Sequence, residues 1–161
     1  LDGIKAKTNA DVIYDKEAKG NYFDADIAII VVGETPYAEM FGDITDGKGE
    51  RRLTLSEKHQ KYIETYTEKG VKTVVVLISG RPLVTTKQIN LSDAFIAAWL
   101  PGSEGDGIAE VLFGNFDFKG KLPHSWPKSV EDFNGKYGVN FWDKSKKPLF
   151  DFGFGLTYKN N

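Results

Sequence analysis

An uninterrupted apolar run, Ile-Ala-Ile-Ile-Val-Val at residues 27–32, ends abruptly at Gly33 and constrains the fold more than any other feature. A short run of this kind, rich in β-branched residues, is typical of a strand covered on both faces in a parallel sheet. The loop that follows, residues 33–52, is rich in glycine and aspartate and is longer than most connections. Ligands bind beyond the carboxyl ends of the strands in open α/β sheets. The pattern therefore predicts a functional loop at the end of a buried strand.

Two more apolar runs and two amphipathic stretches continue this alternation. Strands are predicted at residues 71–78 and 94–100, each closed by a turn that contains glycine and proline. One helix is predicted to begin at the capping box of residues 54–57, with Ser56 as the alternative cap, and another helix to end at Gly114. Alternating strands and helices predict an α/β fold with a mainly parallel sheet sandwiched between helices, in flavodoxin-like layers.

The last part of the chain follows a different pattern. Beyond Phe116 the sequence is punctuated by glycine and proline and is rich in aromatic residues, which predicts an irregular, aromatic-rich C-terminal tail with at most one further strand. The 161 residues suffice for a single domain with one substantial core. The chain begins at Leu1 rather than methionine, which predicts a processed chain or a fragment.

The composition excludes several classes of partner. A net charge of −2 gives no support to nucleic acid or an anionic membrane surface as a partner. The absence of cysteine rules out disulfides and thiolate metal sites, and no apolar run approaches the roughly 18 residues of a membrane span. His59 and His124 are isolated in the sequence and form neither a metal site nor a catalytic triad. We expect no metal and no cofactor.

Charged residues occupy all three loops that follow the predicted strands. Because the carboxyl ends of parallel strands meet at one edge of a sheet, these loops are expected to lie close together. We interpret Glu34 and Glu104 as structural, paired with Arg81 or with backbone N–H groups. Glu39 lies between Tyr37 and Phe41, whose apolar rings favour the protonated carboxyl that a general acid needs. The spacing alone leaves both a catalytic and a structural role open for Glu39.

Six segments carry a family resemblance and together cover nearly the whole chain. They read ADIAIIVVGETPYAEMFGD at 25–43, VLISGRP at 76–82, AAWLPGSEGDG at 97–107, EVLFGNFD at 110–117, GKLPHSWP at 120–127 and PLFDFGFGLTY at 148–158. In this order they closely resemble the C-terminal α/β-sandwich domain of glycoside hydrolase family 3, the β-glucosidases and exo-β-glucanases. On this resemblance residues 1–161 form one such domain, without the family's N-terminal barrel domain.

The resemblance implies a retaining mechanism with two carboxylates from two domains. In members of the plant exo-glucanase type, the nucleophile is an aspartate of a (β/α)₈-like barrel, and the general acid/base lies on the loop that here spans residues 33–43. Glu39 matches the acid/base, and Glu34 and Arg81 match residues that structure the loop and its scaffold. The side chains that would shape the aglycone side are Tyr37, Met40 and Phe41. The implied substrate is a β-glucoside or β-glucan oligosaccharide with a terminal β-D-glucosyl residue. The chain by itself, lacking the nucleophile, is expected to be inactive.

Two other functions stay open at this point. A non-catalytic carbohydrate-binding or interaction domain can share this fold, and in that case Glu39→Gln should leave sugar affinity almost unchanged. A phosphate- or nucleotide-binding flavodoxin-like protein is disfavoured, because the glycine-rich loops carry carboxylates instead of anion-binding residues. The family resemblance favours a secreted or periplasmic enzyme over a cytoplasmic one.

Overall fold

A computed structural model describes residues 1–35, 53–133 and 147–159 of the chain. In these ranges the strands are β1 (Ala28–Gly33), β2 (Thr73–Ile78) and β3 (Ala94–Trp99). The helices are α1 (Asp2–Ala6), α2 (Glu57–Thr67), α3 (Thr86–Leu91) and α4 (Gly105–Leu112), followed by a 3₁₀ helix at Val130–Phe133. None of the helices in these ranges is long and apolar enough to cross a membrane.

The three strands form one parallel sheet in the order β1-β2-β3, which confirms the predicted α/β fold. Each strand is built from β-branched or apolar residues, which suit a pleated surface that is covered on both sides. Helix α2 contacts β1 and β2 on one face of the sheet. On the other face, α4 lies over β3, where Ile108 and Val111 line a shallow cavity with Ile96 and Ala98.

The core lies between the sheet and α2. Ile63 of α2 and Val75 and Leu77 of β2 are fully inaccessible to solvent, and the same cluster includes Leu83 and Trp126. Burying such side chains stabilises the fold by about 1.5–3 kcal/mol each. The aromatic tail therefore contributes to the core through Trp126 and does not form a separate layer.

The boundaries of α2 resolve an ambiguity in the sequence. Ser56 is the N-cap, because its Oγ accepts a hydrogen bond from the backbone N–H of His59 at 3.3 Å. Thr54 does not cap the helix and instead forms an isolated parallel bridge with Val84. The helix ends as predicted before Gly70, whose φ of 76° lies in the left-handed region that glycine adopts without strain.

The structure also departs from the predicted elements in two places. The short helices α1 and α3 have no strong sequence periodicity and were not expected. The additional strand in the tail is, within the described residues, only an isolated antiparallel bridge between Trp126 and Phe150. Leu122 exchanges further backbone bonds with Gly153 and Phe154, but the glycines and prolines in these segments explain why no regular ladder forms.

Candidate active site

The carboxyl ends of all three strands lie level at one edge of the sheet, as the sequence predicted. The register pairs Gly33 of β1 with Ile78 of β2, and Ile78 with Trp99 of β3. The two strands approach very closely here, since a Cβ on Gly33 would lie 2.3 Å from the Ile78 carbonyl oxygen. Glycine is therefore required at the last position of β1, immediately before the acidic loop.

A nearly buried ion pair joins the first two loops. Arg81 donates to one carboxylate oxygen of Glu34, from Nη2 at 2.7 Å and from Nε at 3.1 Å. The two side chains are only 11% and 12% exposed, respectively. The backbone N–H of Glu34 also donates to the Ile78 carbonyl at 3.1 Å, and Ser79 Oγ donates to the Arg81 carbonyl at 2.8 Å. These bonds fix the direction in which the chain leaves β1.

The second carboxylate oxygen of Glu34 has no such bonds. Oε2 is buried, and no group in the described part of the chain donates a hydrogen bond to it. Buried carboxylate oxygens are nearly always hydrogen-bonded, so this atom is an acceptor open to a donor from outside these residues. The atom lies at the sheet edge, where a ligand or a second domain would approach.

The third strand-end loop is not joined to this pair. Glu104 is exposed and accepts a hydrogen bond from Ser103 Oγ at 2.9 Å. Between Glu104 and Arg81, both of which are described, the structure shows no bond. Glu104 directly precedes α4, where its negative charge is favourable to the helix dipole.

His59 is a residue near the site that the sequence analysis had treated only as an isolated histidine. Burial lowers the pKa of the His59 imidazole below its usual 6.5; a hydrogen bond with the Gly33 backbone opposes this shift, and the charge of Lys58 adds to it. His59 is therefore a largely neutral side chain at pH 7, close to the last residue of β1. The helix predicted to begin at residues 54–57 includes His59, but the sequence gave no sign that His59 lies near Gly33.

An aromatic cluster follows β3. Trp99, its last residue, has a φ of 54°, which is rare for a bulky side chain and turns the chain sharply into the third loop. Its indole lies 5.5 Å from the His124 ring and 6.1 Å from the Trp126 ring, measured between centroids. Trp126 is 2% exposed and donates from Nε1 to Thr85 Oγ1 at 3.3 Å. The tail thus braces the same sheet edge.

The predicted catalytic and aglycone residues, Tyr37, Glu39, Met40 and Phe41, lie outside the described residues. The structure therefore describes the base of the loop, at Gly33–Glu34, and the scaffold that holds it. Within residues 1–35, 53–133 and 147–159, no group of three or more histidine, aspartate or glutamate side chains is arranged to hold a metal ion.

Comparison with known proteins assigns the chain to a family. Residues 1–158 match the model of the glycosyl hydrolase family 3 C-terminal domain. The chain is 32% identical over 152 residues to the periplasmic β-glucosidase of Salmonella typhimurium, where the match covers 83% of this chain and 19% of that protein. It is 33% identical over 141 residues to the lysosomal β-glucosidase of Dictyostelium discoideum, covering 83% of this chain and 16% of that protein.

A solved structure agrees with these sequence relatives. The exo-1,3/1,4-β-glucanase of a Pseudoalteromonas species superposes with a TM-score of 0.67 at 44% identity, and the match covers 84% of this chain and 17% of that protein. The chain thus spans about a fifth or less of the length of these relatives. With the parallel sheet and the family model in agreement, the chain belongs to glycosyl hydrolase family 3, as its C-terminal domain.

Proposed function

We propose that this chain is the C-terminal domain of a retaining β-glycosidase that removes terminal β-D-glucosyl residues from glucosides or β-glucans, with Glu39 as general acid/base. The family match over residues 1–158 carries this proposal, because relatives with the same domain are named β-glucosidases and an exo-β-glucanase. The sequence position of Glu39 adds support, since it follows by five residues Glu34, which forms the ion pair with Arg81.

The proposed chemistry needs one carboxylate from this chain and one from elsewhere. Glu39 protonates the departing glycosidic oxygen while a second carboxylate attacks the anomeric carbon, and Glu39 then takes a proton from the water that releases the sugar. The two carboxyl groups of a retaining enzyme stand about 5–5.5 Å apart. We propose that the second carboxylate comes from a barrel domain outside this chain, and that the chain alone is inactive.

Two features of the sheet edge support a docked domain there. Leu100, directly after β3, is apolar and 70% exposed, so a domain docked at this edge would bury it. Glu34 Oε2 is a buried acceptor open to a donor. Docking of the barrel domain against this edge would cover Leu100 and bring the nucleophile within reach of Glu39.

The role of Glu39 is tested by leaving-group dependence in the complete enzyme. A variant without its general acid should lose about 10²–10⁴-fold in kcat/KM on an alkyl β-glucoside, whose leaving oxygen must be protonated. It should lose far less on a dinitrophenyl β-glucoside, whose leaving group departs as a stable anion. Glu39→Gln is the test variant and Glu50→Gln, on the same loop, is the matched control.

The same measurement separates the alternatives. Equal losses on both substrates would contradict an acid/base role and point to a structural one for Glu39. Full activity of Glu39→Gln would move the acid/base elsewhere. To test the shared site, the chain is assayed alone and after mixing with the barrel domain of its parent enzyme, and activity of the chain alone would refute the two-domain site.

We also infer that the enzyme acts outside the cytoplasm. Two of the relatives are named periplasmic and lysosomal β-glucosidases, and this supports an exported enzyme without fixing its compartment. Fractionation of the producing cells tests the inference, and β-glucosidase activity that stays with the cytoplasmic fraction would contradict it.

A further inference from the structure

Strand β3 is the outermost strand on one side of the sheet, and this lateral edge differs from the carboxyl-end edge that carries the candidate site. The backbone of β3 has polar groups that point away from β2. Even-numbered residues along β2 bond to β1, because Ala28 N donates to the Lys72 carbonyl at 2.8 Å and Glu34 N donates to the Ile78 carbonyl at 3.1 Å. The odd-numbered residues of β2 therefore face β3, and the register that pairs Val75 with Phe95 turns the backbone groups of Ala94 and Ile96 toward β2. The outward-facing N–H and C=O groups of β3, before the register shift at Leu77/Ile78, belong to Phe95 and Ala97. Within the described residues no strand pairs with them.

A cavity of about 790 Å³ runs along this edge, and we call it the edge slot. One wall is the aromatic tail, with Trp126 and Phe150, which belong to or pack against the core on the α2 face of the sheet. The other wall, with Leu112 and Phe118, belongs to the α4 face. Both layers of the sandwich thus continue beyond β3, while the sheet between them stops.

The slot has the size of one short strand. A strand residue between two packed layers occupies about 160 Å³, from a strand spacing of about 4.8 Å, a rise of about 3.3 Å and a layer separation of about 10 Å. The slot therefore holds about five residues, close to the six of β3. Because its walls are largely apolar, they offer few partners to the outward backbone groups, and buried backbone groups need partners.

We propose that a β-strand from a part of the longer polypeptide outside this chain occupies the edge slot and pairs with β3. Both walls are apolar, so the strand would be apolar on both faces, as a central strand is. A second copy of the chain fits less well, because β3 is recessed between its own walls and two recessed edges cannot approach each other. The proposal rests on the chain being part of a longer enzyme, and it is independent of the role of Glu39.

Hydrogen exchange of the complete polypeptide tests this pairing without using activity. We expect the outward amides of Phe95 and Ala97 to exchange within about tenfold of the inward amides of Ala94 and Ile96, which bond to β2 and serve as internal controls. Outward amides that exchange freely while the inward ones are protected would overturn the proposal. Equal protection of the outward and inward amides when residues 1–161 are measured alone would also overturn the proposal, since the chain's own residues would then fill the slot. Protection that grows with protein concentration would assign the slot to a second copy instead.

A pair of substitutions gives an independent measurement. Leu156 lines the edge slot and is 54% exposed in this chain, whereas Leu91, 40% exposed, does not line it. If a strand covers the slot, Leu156→Asp should lower the Tm of the complete polypeptide by several degrees and Leu91→Asp should change it little. Equal small shifts for both variants would show that the slot stays open, and would contradict the proposal.

Discussion

Removal of the Arg81 guanidinium should destabilise this domain more than removal of any solvent-exposed cation. In Arg81→Met, Glu34 keeps a nearly buried carboxylate, 12% exposed, that has lost both of its hydrogen bonds at 2.7 and 3.1 Å. Loss of one partner from a buried ion pair costs about 3–5 kcal/mol, because the remaining charge is left without compensation. For a domain of this size each kcal/mol lowers Tm by about 2–4 °C, so the expected decrease is about 6–20 °C.

The assay is thermal unfolding of the purified domain, followed by far-UV circular dichroism at pH 7. Lys87→Met is the matched control, since Lys87 bonds to Glu64 at 2.6 Å but is 65% exposed, and exposed pairs contribute little. Arg81 has further interactions, so the double variant Glu34→Gln/Arg81→Met isolates the pair itself. It should recover much of the lost Tm, because no unpaired charge is left. A decrease for Arg81→Met no larger than that for Lys87→Met would refute the reasoning.

Three further predictions concern the scaffold beneath the site. Ile63→Ala should lower the free energy of unfolding in urea by about 2–5 kcal/mol, because the Ile63 side chain is fully buried. Ile13→Ala, at a site 55% exposed, should lower it little, and similar decreases for both variants would place Ile63 outside the core. Ser56→Ala should cost about 1 kcal/mol through loss of the α2 cap, and Thr54→Ala less than half as much; the reverse order would identify Thr54 as the cap. The pKa of His59 is lowered in the folded state, so its contribution to stability is present above pH 6.5 and is lost as the pH falls through its folded pKa. His59→Gln should therefore flatten the profile of Tm against pH between about pH 5 and 7, and an unchanged profile would contradict this assignment.

The fold was predictable because the strands are strongly marked in the sequence. Uninterrupted β-branched runs have few alternatives to a buried parallel strand, and the turns after them are set by glycine and proline. The start of α2 was less certain, since both Thr54 and Ser56 are competent caps. Tertiary structure selects Ser56 as the N-cap of α2. The Leu53 carbonyl accepts a backbone hydrogen bond from Val84 at 2.8 Å, and this holds Thr54 in an extended bridge with Val84.

For the candidate site, too, the sequence determined some features and tertiary structure decided the others. The sequence by itself determined that Glu34, Arg81 and Glu104 follow strand ends, and therefore that they lie at one edge of the sheet. It left open which carboxylate pairs with Arg81, because a strand-end position does not define side-chain distances. The register of β1 against β2 brought Glu34 to 2.7 Å from Arg81, while Glu104 bonds to its neighbour Ser103. The proximity of His59 to Gly33 and the open edge of β3 were likewise settled only by tertiary structure, since both depend on how separate elements pack and not on any local pattern.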